Sequence, residues 1–332
     1  MKGHVAILGA GTWGTALAVH LSRSGRDVRL WGRDADLLLQ MQRARSNPRY
    51  LPDVPLDASI QMSAALRDAV SGASYVVLAV PSHGLRAVVR DASPLLSSDA
   101  VLVSAAKGLE ERSLARMSEA LWAETGGTHS VVVLSGPSFA EEVARGLPTA
   151  VLAASTDANA ASRVQEHFRG PAFRIYASDD VTGVEIGGAL KNVIAIAAGV
   201  VQGIGLGYNS MAALITRGLA EISRLASAEG GRRETLAGLA GLGDLVLTCT
   251  GDLSRNRRVG MELGRGRKLD EILSSMHTVA EGVRTTGVAL DLAGRHGIEL
   301  PIACQMKRVL DGESSPRAAV EALMIRKQKT ED

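Results

Sequence analysis

One segment constrains the fold of this chain more than any other. It reads Val5-Ala-Ile-Leu-Gly9-Ala-Gly11-Thr-Trp-Gly14-Thr-Ala-Leu-Ala, an apolar β-rich run, the spacing Gly-x-Gly-x-x-Gly and then a helix-forming stretch. In such a unit Gly9 permits a tight turn, Gly11 lets the backbone approach a pyrophosphate, and Gly14 lets helix and strand pack closely. The phosphates would then sit on the helix N-terminus, where free N–H groups and the helix dipole favour anions. Glycines at this spacing also occur in ordinary glycine-rich turns. The strand before them, the helix after them and a second strand at Val28–Trp31 favour a dinucleotide site.

The same alternation continues. Short apolar runs recur at Val5–Leu8, Val28–Trp31, Tyr75–Val80, Val101–Ser104 and Val131–Leu134, followed by Thr149–Ala154 and Phe173–Tyr176. Helical patterns, such as Gly14–Ser22 and Ser113–Glu124, separate several of them. Strands alternating with helices predict βαβ units and a mostly parallel sheet. Strands that are apolar throughout predict that both faces of that sheet are covered. From Val181 onward the pattern becomes helical, with candidates at Val181–Val201, Ser210–Glu229, Arg233–Gly238, Leu269–Ser274, Thr285–His296, Ala303–Asp311 and Pro316–Arg326. The expected organisation is a Rossmann-type α/β domain over residues 1–180 and an all-α domain over 181–332, with a polar, frayed end from Arg326 to Asp332.

Composition excludes several classes. Hydrophobic residues make up 46% and charged residues 22%, globular values that argue against disorder. The formal net charge of +2 leaves no basic excess for non-specific binding of a nucleic-acid backbone. The most apolar stretch, Ile186 to Val201, contains Lys191 and Asn192, which a membrane span would carry at high cost, so a buried helix is expected. The opening apolar run is too short and too broken by glycine for a signal peptide. A cytoplasmic protein without a membrane span is expected, and a homodimer is compatible with the sequence. Cys249 and Cys304 can form neither a disulfide framework nor a zinc site by themselves, and no metal site is expected.

The second strand ends Trp31-Gly32-Arg33-Asp34. NAD sites usually place a carboxylate about 20 residues beyond the glycines, on the ribose 2′-hydroxyl. Here Arg33 follows the strand, and a guanidinium suits a 2′-phosphate, which it can hold bidentately. NADP(H) is therefore expected in preference to NAD(H). The bland reading of Arg33 is a solvated side chain paired with Asp34.

There are only seven lysines, and between Lys2 and Lys268 only Lys107 and Lys191 occur. Lys107 follows the strand Val101–Ser104, at the edge where open α/β sheets bind ligands. Lys191 lies inside an apolar helix, where a lysine either snorkels or has a function. Burial and a nearby cation would lower its pKa and make it a usable proton donor to a ketone receiving hydride. Asp244, in an apolar glycine-rich setting, needs a cationic partner. The run Ser254-Arg255-Asn256-Arg257-Arg258 offers hydroxyl, amide and guanidinium donors to an anion, although such a run is equally often a solvated loop. His83 at a strand end and His277 at a helix end are weaker acid candidates, and Cys249 reads as a small core residue.

These residues closely resemble the bacterial NAD(P)-dependent glycerol-3-phosphate dehydrogenases over nearly the whole chain. The segments that carry the resemblance are GAGTWGTALA at 9–18, AAKGLE at 105–110, SGPSFAEEVARGLPTA at 135–150, EIGGALKNVIAIAAG at 185–199, ALITRGLAE at 213–221, GLGDLVLTCT at 241–250, SRNRR at 254–258 and AEGVRT at 280–285. The resemblance implies a Rossmann domain followed by a helical domain. It also implies interconversion of dihydroxyacetone phosphate and sn-glycerol 3-phosphate, a phosphorylated triose substrate, and a supply of glycerol 3-phosphate for phospholipids. It assigns proton transfer to Lys191, contact with substrate and nicotinamide to Lys107, and assistance of the catalytic lysine to Asp244. Gly136, Ser138, Ser254, Arg255 and Asn256 fall at its substrate positions. Thr12, Trp13, Arg33, Tyr50, Lys107, Ala140, Arg255, Val279 and Glu281 fall at its cofactor positions. Thr12 stands where serine is common, and Ala106 replaces a frequent threonine.

Two rival readings remain at this level. The β-hydroxyacid dehydrogenases share the two-domain plan but carry Lys-x-x-x-Asn on the interdomain helix. Here the fourth residue after Lys191 is Ala195, and Asn192 is adjacent instead. A non-catalytic nucleotide sensor would need the glycine loop but not Lys107, Lys191 and Asp244 together.

Overall fold

The structure is a computed structural model that describes residues 3–276, 280–327 and 330. Its strands are β1 (His4–Leu8), β2 (Val28–Trp31), β3 (Gln61–Ser63), β4 (Ala73–Leu78), β5 (Val101–Ser104), β6 (Val131–Ser135), β7 (Thr149–Ala154) and β8 (Phe173–Ser178). They form one eight-stranded sheet in the order β3-β2-β1-β4-β5-β6-β7-β8. The first six run parallel; β7 pairs antiparallel with β6, and β8 runs parallel to β7. The order 3-2-1-4-5-6 is that of the doubly wound dinucleotide-binding sheet. β3, which the sequence reading missed, is a polar three-residue edge strand with no apolar pattern to reveal it.

Helices α1 (Thr12–Arg23), α2 (Ala35–Ala44), α3 (Leu66–Val70), α4 (Ser82–Ala92), α5 (Met117–Glu124), α6 (Ala140–Arg145) and α7 (Ala158–Phe168) lie between strands. They cover both faces. Val5 and Ile7 of β1 enter a core with Leu17 and Phe168, while Ala6 and Leu8 enter another with Leu85 and Leu121. Alternate residues of one strand thus face two cores, which is why its apolar run is unbroken. The helix expected from Ser113 starts later, at Met117, because Leu109 bridges to Arg116 and Leu114 adopts φ 61°, closing a turn first.

Beyond β8 the described residues are helical: α8 (Val181–Ile204), α9 (Gly207–Ala228), α10 (Arg233–Ala237), α11 (Asp244–Thr250), α12 (Arg255–Gly264), α13 (Leu269–Ser274), α14 (Glu281–Arg295), α15 (Pro301–Leu310) and α16 (Pro316–Met324). A π-helical turn at Leu239–Gly243 leads into α11. α11 and α12 were not expected as helices. The axis of this half is α8, 24 residues long with a mean hydropathy of 1.6 and an apolar window wholly buried in the protein. α12 packs on it almost backbone to backbone. A Cβ on Gly260 would lie 1.8 Å from the Ile196 carbonyl oxygen, and one on Gly199 would lie 2.0 Å from that of Arg257. This contact carries the start of α12 to the cleft below the sheet edge.

Candidate active site

The cleft opens at the carboxyl ends of β1, β4 and β5, beside the point where the strand order reverses, and encloses about 770 Å³. Gly9 turns the chain out of β1 at φ 124°, a conformation that favours glycine. A Cβ on Gly14 would meet the Gly9 carbonyl oxygen at 1.8 Å, so this glycine sets how closely α1 approaches the loop. Gly11 faces open space, with no atom near a built Cβ, and α1 has no side-chain cap. An uncapped helix N-terminus opening on a cleft fits a diphosphate. Thr12, Trp13, Arg33, Tyr50 and Ala140 line the same cleft, whereas Gly14 sits behind the loop. Arg33 is exposed and makes no hydrogen bond or ion pair among the described residues. Asp34 pairs with Arg49 at 2.8 Å, not with Arg33 as the bland reading had it.

At the other end, three elements meet. Lys107 comes from the loop after β5, Lys191 from the middle of α8, and Asp244 is the first residue of α11. Lys107 Nζ donates to Asp244 Oδ2 at 2.6 Å and to the Gly136 carbonyl at 2.9 Å. Lys191 Nζ donates to Asp244 Oδ1 and, at 2.9 Å, to Thr248 Oγ1. Thr248 in turn donates to the Asp244 carbonyl at 2.6 Å. Lys191 is 7% exposed and Asp244 1%. Burial pulls the Lys191 ammonium from the usual lysine range to about 7; Asp244 opposes the shift and Lys107 adds to it. Lys107, Lys191 and Thr248 line the cleft, while Asp244 and Gly136 lie behind them as acceptors.

Ser138 Oγ donates back to the Gly136 carbonyl at 3.0 Å and faces the cleft. The start of α12 forms the opposite wall. Ser254 Oγ accepts from Arg257 N–H at 3.2 Å, capping the helix, and Ser254, Arg255 and Asn256 line the cavity. Burial lowers the Arg255 pKa, an effect Glu281 opposes. Asn256 is held on both sides: its Nδ2 donates to Asn192 Oδ1 at 3.0 Å, and its Oδ1 accepts from Gly282 N–H at 2.9 Å. Glu281, at the start of α14, accepts from Ser82 N–H at 3.1 Å and Ser82 Oγ at 2.6 Å, joining the helical half to α4 across the cleft.

His83 lines the cleft. His277 and Val279 lie outside the described residues. Burial pushes the Cys249 thiol up to about 12, so it is no nucleophile near neutral pH. Thr248 and Asn192 were not among the residues singled out as site contacts from the sequence. Thr248 stands four residues after Asp244, one helical turn on, a signal hidden while α11 was unrecognised.

A doubly wound dinucleotide-binding sheet whose cleft ends in a buried lysine–carboxylate cluster is the architecture of a nicotinamide-dependent oxidoreductase. The family model described as NAD-dependent glycerol-3-phosphate dehydrogenase N-terminus matches residues 4–161, and the one described as its C-terminus matches residues 180–321. A glycerol-3-phosphate dehydrogenase [NAD(P)+] of Koribacter versatilis is 51% identical over 331 residues, covering 98% of each chain. That of Syntrophotalea carbinolica is 52% identical over 330 residues, covering 99% of each. A crystal structure of glycerol-3-phosphate dehydrogenase from Coxiella burnetii superposes with a TM-score of 0.94 at 42% identity, covering 98% of this chain and 99% of that one. The chain belongs to the NAD(P)-dependent glycerol-3-phosphate dehydrogenase family.

Proposed function

We propose that this enzyme interconverts dihydroxyacetone phosphate and sn-glycerol 3-phosphate, with NADP(H) preferred and NAD(H) accepted, and that it works in the cytoplasm supplying glycerol 3-phosphate for phospholipid synthesis. The observation that carries the reading is the placement of Lys191, buried between Asp244 and Thr248, facing the cleft beside Lys107.

A bound nicotinamide supplies the hydride that reaches the carbonyl carbon. Lys191 places an ammonium N–H toward the carbonyl oxygen, stabilises the charge developing there and passes its proton to it, leaving a neutral amine. In the oxidative direction the neutral amine takes the hydroxyl proton. Asp244 and Thr248 fix the direction of the Lys191 amine. Lys107, anchored by Asp244 and the Gly136 carbonyl, adds positive potential at the reacting oxygen. Arg255, Asn256 and Ser254 suit the substrate phosphate, because a guanidinium, an amide and a hydroxyl lie on one wall of the cleft. Arg33 suits the 2′-phosphate of NADP(H).

The test is a panel of small ketones, with and without phosphate, assayed for oxidation of NADPH and NADH. Turnover of dihydroxyacetone phosphate well above every other ketone is expected. Cofactor binding without turnover of any ketone would return the protein to the class of nucleotide sensors.

A further inference from the structure

The cleft's adenosine end contains an arginine that neither the motif reading nor the proposed mechanism uses. Asn47 is fully buried, and it fastens the turn after α2 to the glycine loop. Its Nδ2 donates to the Ala10 carbonyl at 3.0 Å and to Thr15 Oγ1 at 2.8 Å, and its Oδ1 accepts from Tyr50 N–H at 3.1 Å. The turn so held presents Arg49 and Tyr50 to the cleft, on the side occupied by Arg33 and Asp34. Arg49 Nη1 donates to Asp34 Oδ2 at 2.8 Å, and its guanidinium lies 5.9 Å from the centroid of the Tyr50 ring. The other oxygen of Asp34 accepts from Leu37 N–H at 2.9 Å, capping α2.

We propose that Arg49 is a second guanidinium for the 2′-phosphate of the cofactor, and that Asp34 holds Arg49 in place instead of binding the ribose hydroxyls. The proposal rests on the reading of the site as one for NADP(H). Each oxygen of Asp34 already accepts one bond within the protein, from Leu37 N–H and from Arg49, and Arg49 offsets its charge. Arg33 is exposed and has no partner among the described residues, so its side chain must be ordered when it binds. Arg49 is already held by Asp34, and a guanidinium has five N–H donors, of which this contact uses one on Nη1. With Asp34 counted, Arg33 and Arg49 leave one net positive charge facing a phosphate dianion, whereas without Arg49 the group would leave none.

The experiment is calorimetric titration of the purified enzyme with 2′,5′-ADP and with 5′-AMP at fixed ionic strength. The two probes differ at the 2′-phosphate and need no turnover. Wild type is expected to prefer 2′,5′-ADP. Arg49→Gln is expected to weaken 2′,5′-ADP by about tenfold while leaving 5′-AMP within about twofold, and Arg49→Lys to recover part of the loss. Equal weakening of both probes, or no weakening of either, overturns the role of Arg49 and leaves the pair as a fastening of α2. If Arg33→Ala removes the preference and Arg49→Gln does not, the proposal fails and the NADP(H) reading stands. A wild type that does not distinguish the probes overturns both.

Discussion

Lys191 and Asp244 meet in a pocket almost closed to solvent, joined by a hydrogen bond from Nζ to Oδ1. The second oxygen of the same carboxylate is taken by Lys107 at 2.6 Å. One carboxylate therefore serves two ammonium groups, and with all three ionised the cluster carries a net positive charge beside the cleft. Burying charge costs several kcal/mol per ion unless it is compensated by partners. Here burial lowers the proton affinity of Lys191, the direction a proton donor near neutral pH requires.

Lys191→Ala should lower kcat by about 10²–10⁴, the range for losing one general acid. NADPH binding should change little, because the glycine loop and Arg33 lie at the far end of the cleft. Lys191→Arg should not rescue turnover, since a guanidinium does not surrender its proton near neutral pH. Near-normal kcat in Lys191→Arg, with circular dichroism unchanged, would remove Lys191 from the role and leave Lys107 as the donor.

The pH dependence has a definite sign. With the Lys191 pKa pulled to about 7, the protonated form needed for ketone reduction dominates below that pH and is lost above it. The kcat/KM for dihydroxyacetone phosphate reduction should fall as pH rises through about 7, while that for glycerol 3-phosphate oxidation should rise. Lys107→Met, which removes the neighbouring positive charge, should move the midpoint upward. The three groups titrate as a set, so the midpoint belongs to the cluster. A midpoint unmoved in that variant would show that Lys107 does not act on Lys191.

Thr248→Val removes the hydroxyl that accepts from Lys191 and leaves its volume nearly unchanged. The amine would lose one of its two fixed partners. The expected result is a fall in kcat of about tenfold with little change in KM. A change confined to KM would assign Thr248 to substrate binding instead.

Arg255→Lys should raise the KM for dihydroxyacetone phosphate sharply, because a point charge does not reproduce the planar fork of the guanidinium. Both KM values need measurement, since the family resemblance also implies contact between Arg255 and the cofactor. Unphosphorylated dihydroxyacetone should be a very poor substrate, as binding energy at the phosphate positions the reacting carbonyl. Similar kcat/KM values for the two ketones would contradict the assignment of this wall to the phosphate.

Glu185 ties α8 to the start of α5. It accepts from Ser118 N–H at 2.8 Å, from Ser118 Oγ at 2.5 Å and from Arg116 at 3.1 Å, and it is buried. Glu185→Ala should destabilise the protein by about 3–5 kcal/mol, the range for breaking a buried charged pair. Denaturant unfolding measures this. A loss under about 1 kcal/mol would mean that Arg116 is satisfied by Glu119 alone.

Much of the first half was legible in the sequence. β2, β5 and β7 have the limits their apolar runs predicted, because a strand covered on both faces is mostly apolar along its length. The glycine loop was equally legible, since a positive φ at Gly9 and a helix seated against its carbonyl at Gly14 leave little choice of residue. The edge strand β3 was not, being short, polar and defined only by its pairing with β2. Nor were α11 and α12, whose glycine- and arginine-rich sequences read locally as loops. They are helical where α8 supports them, and Gly199 and Gly260 are small because two backbones touch there.

The sequence by itself determined seven of the eight strands, the nucleotide loop and the identity of the two scarce lysines, because each is expressed in local pattern or composition. Tertiary structure decided that Lys107, Lys191, Asp244 and Thr248 form one hydrogen-bonded cluster, and that Asp34 belongs to Arg49 and not to Arg33. The physical reason is that burial and pairing depend on distances between segments far apart in the chain. A lysine's spacing from its neighbours carries no record of the carboxylate that a helix 53 residues later brings to it.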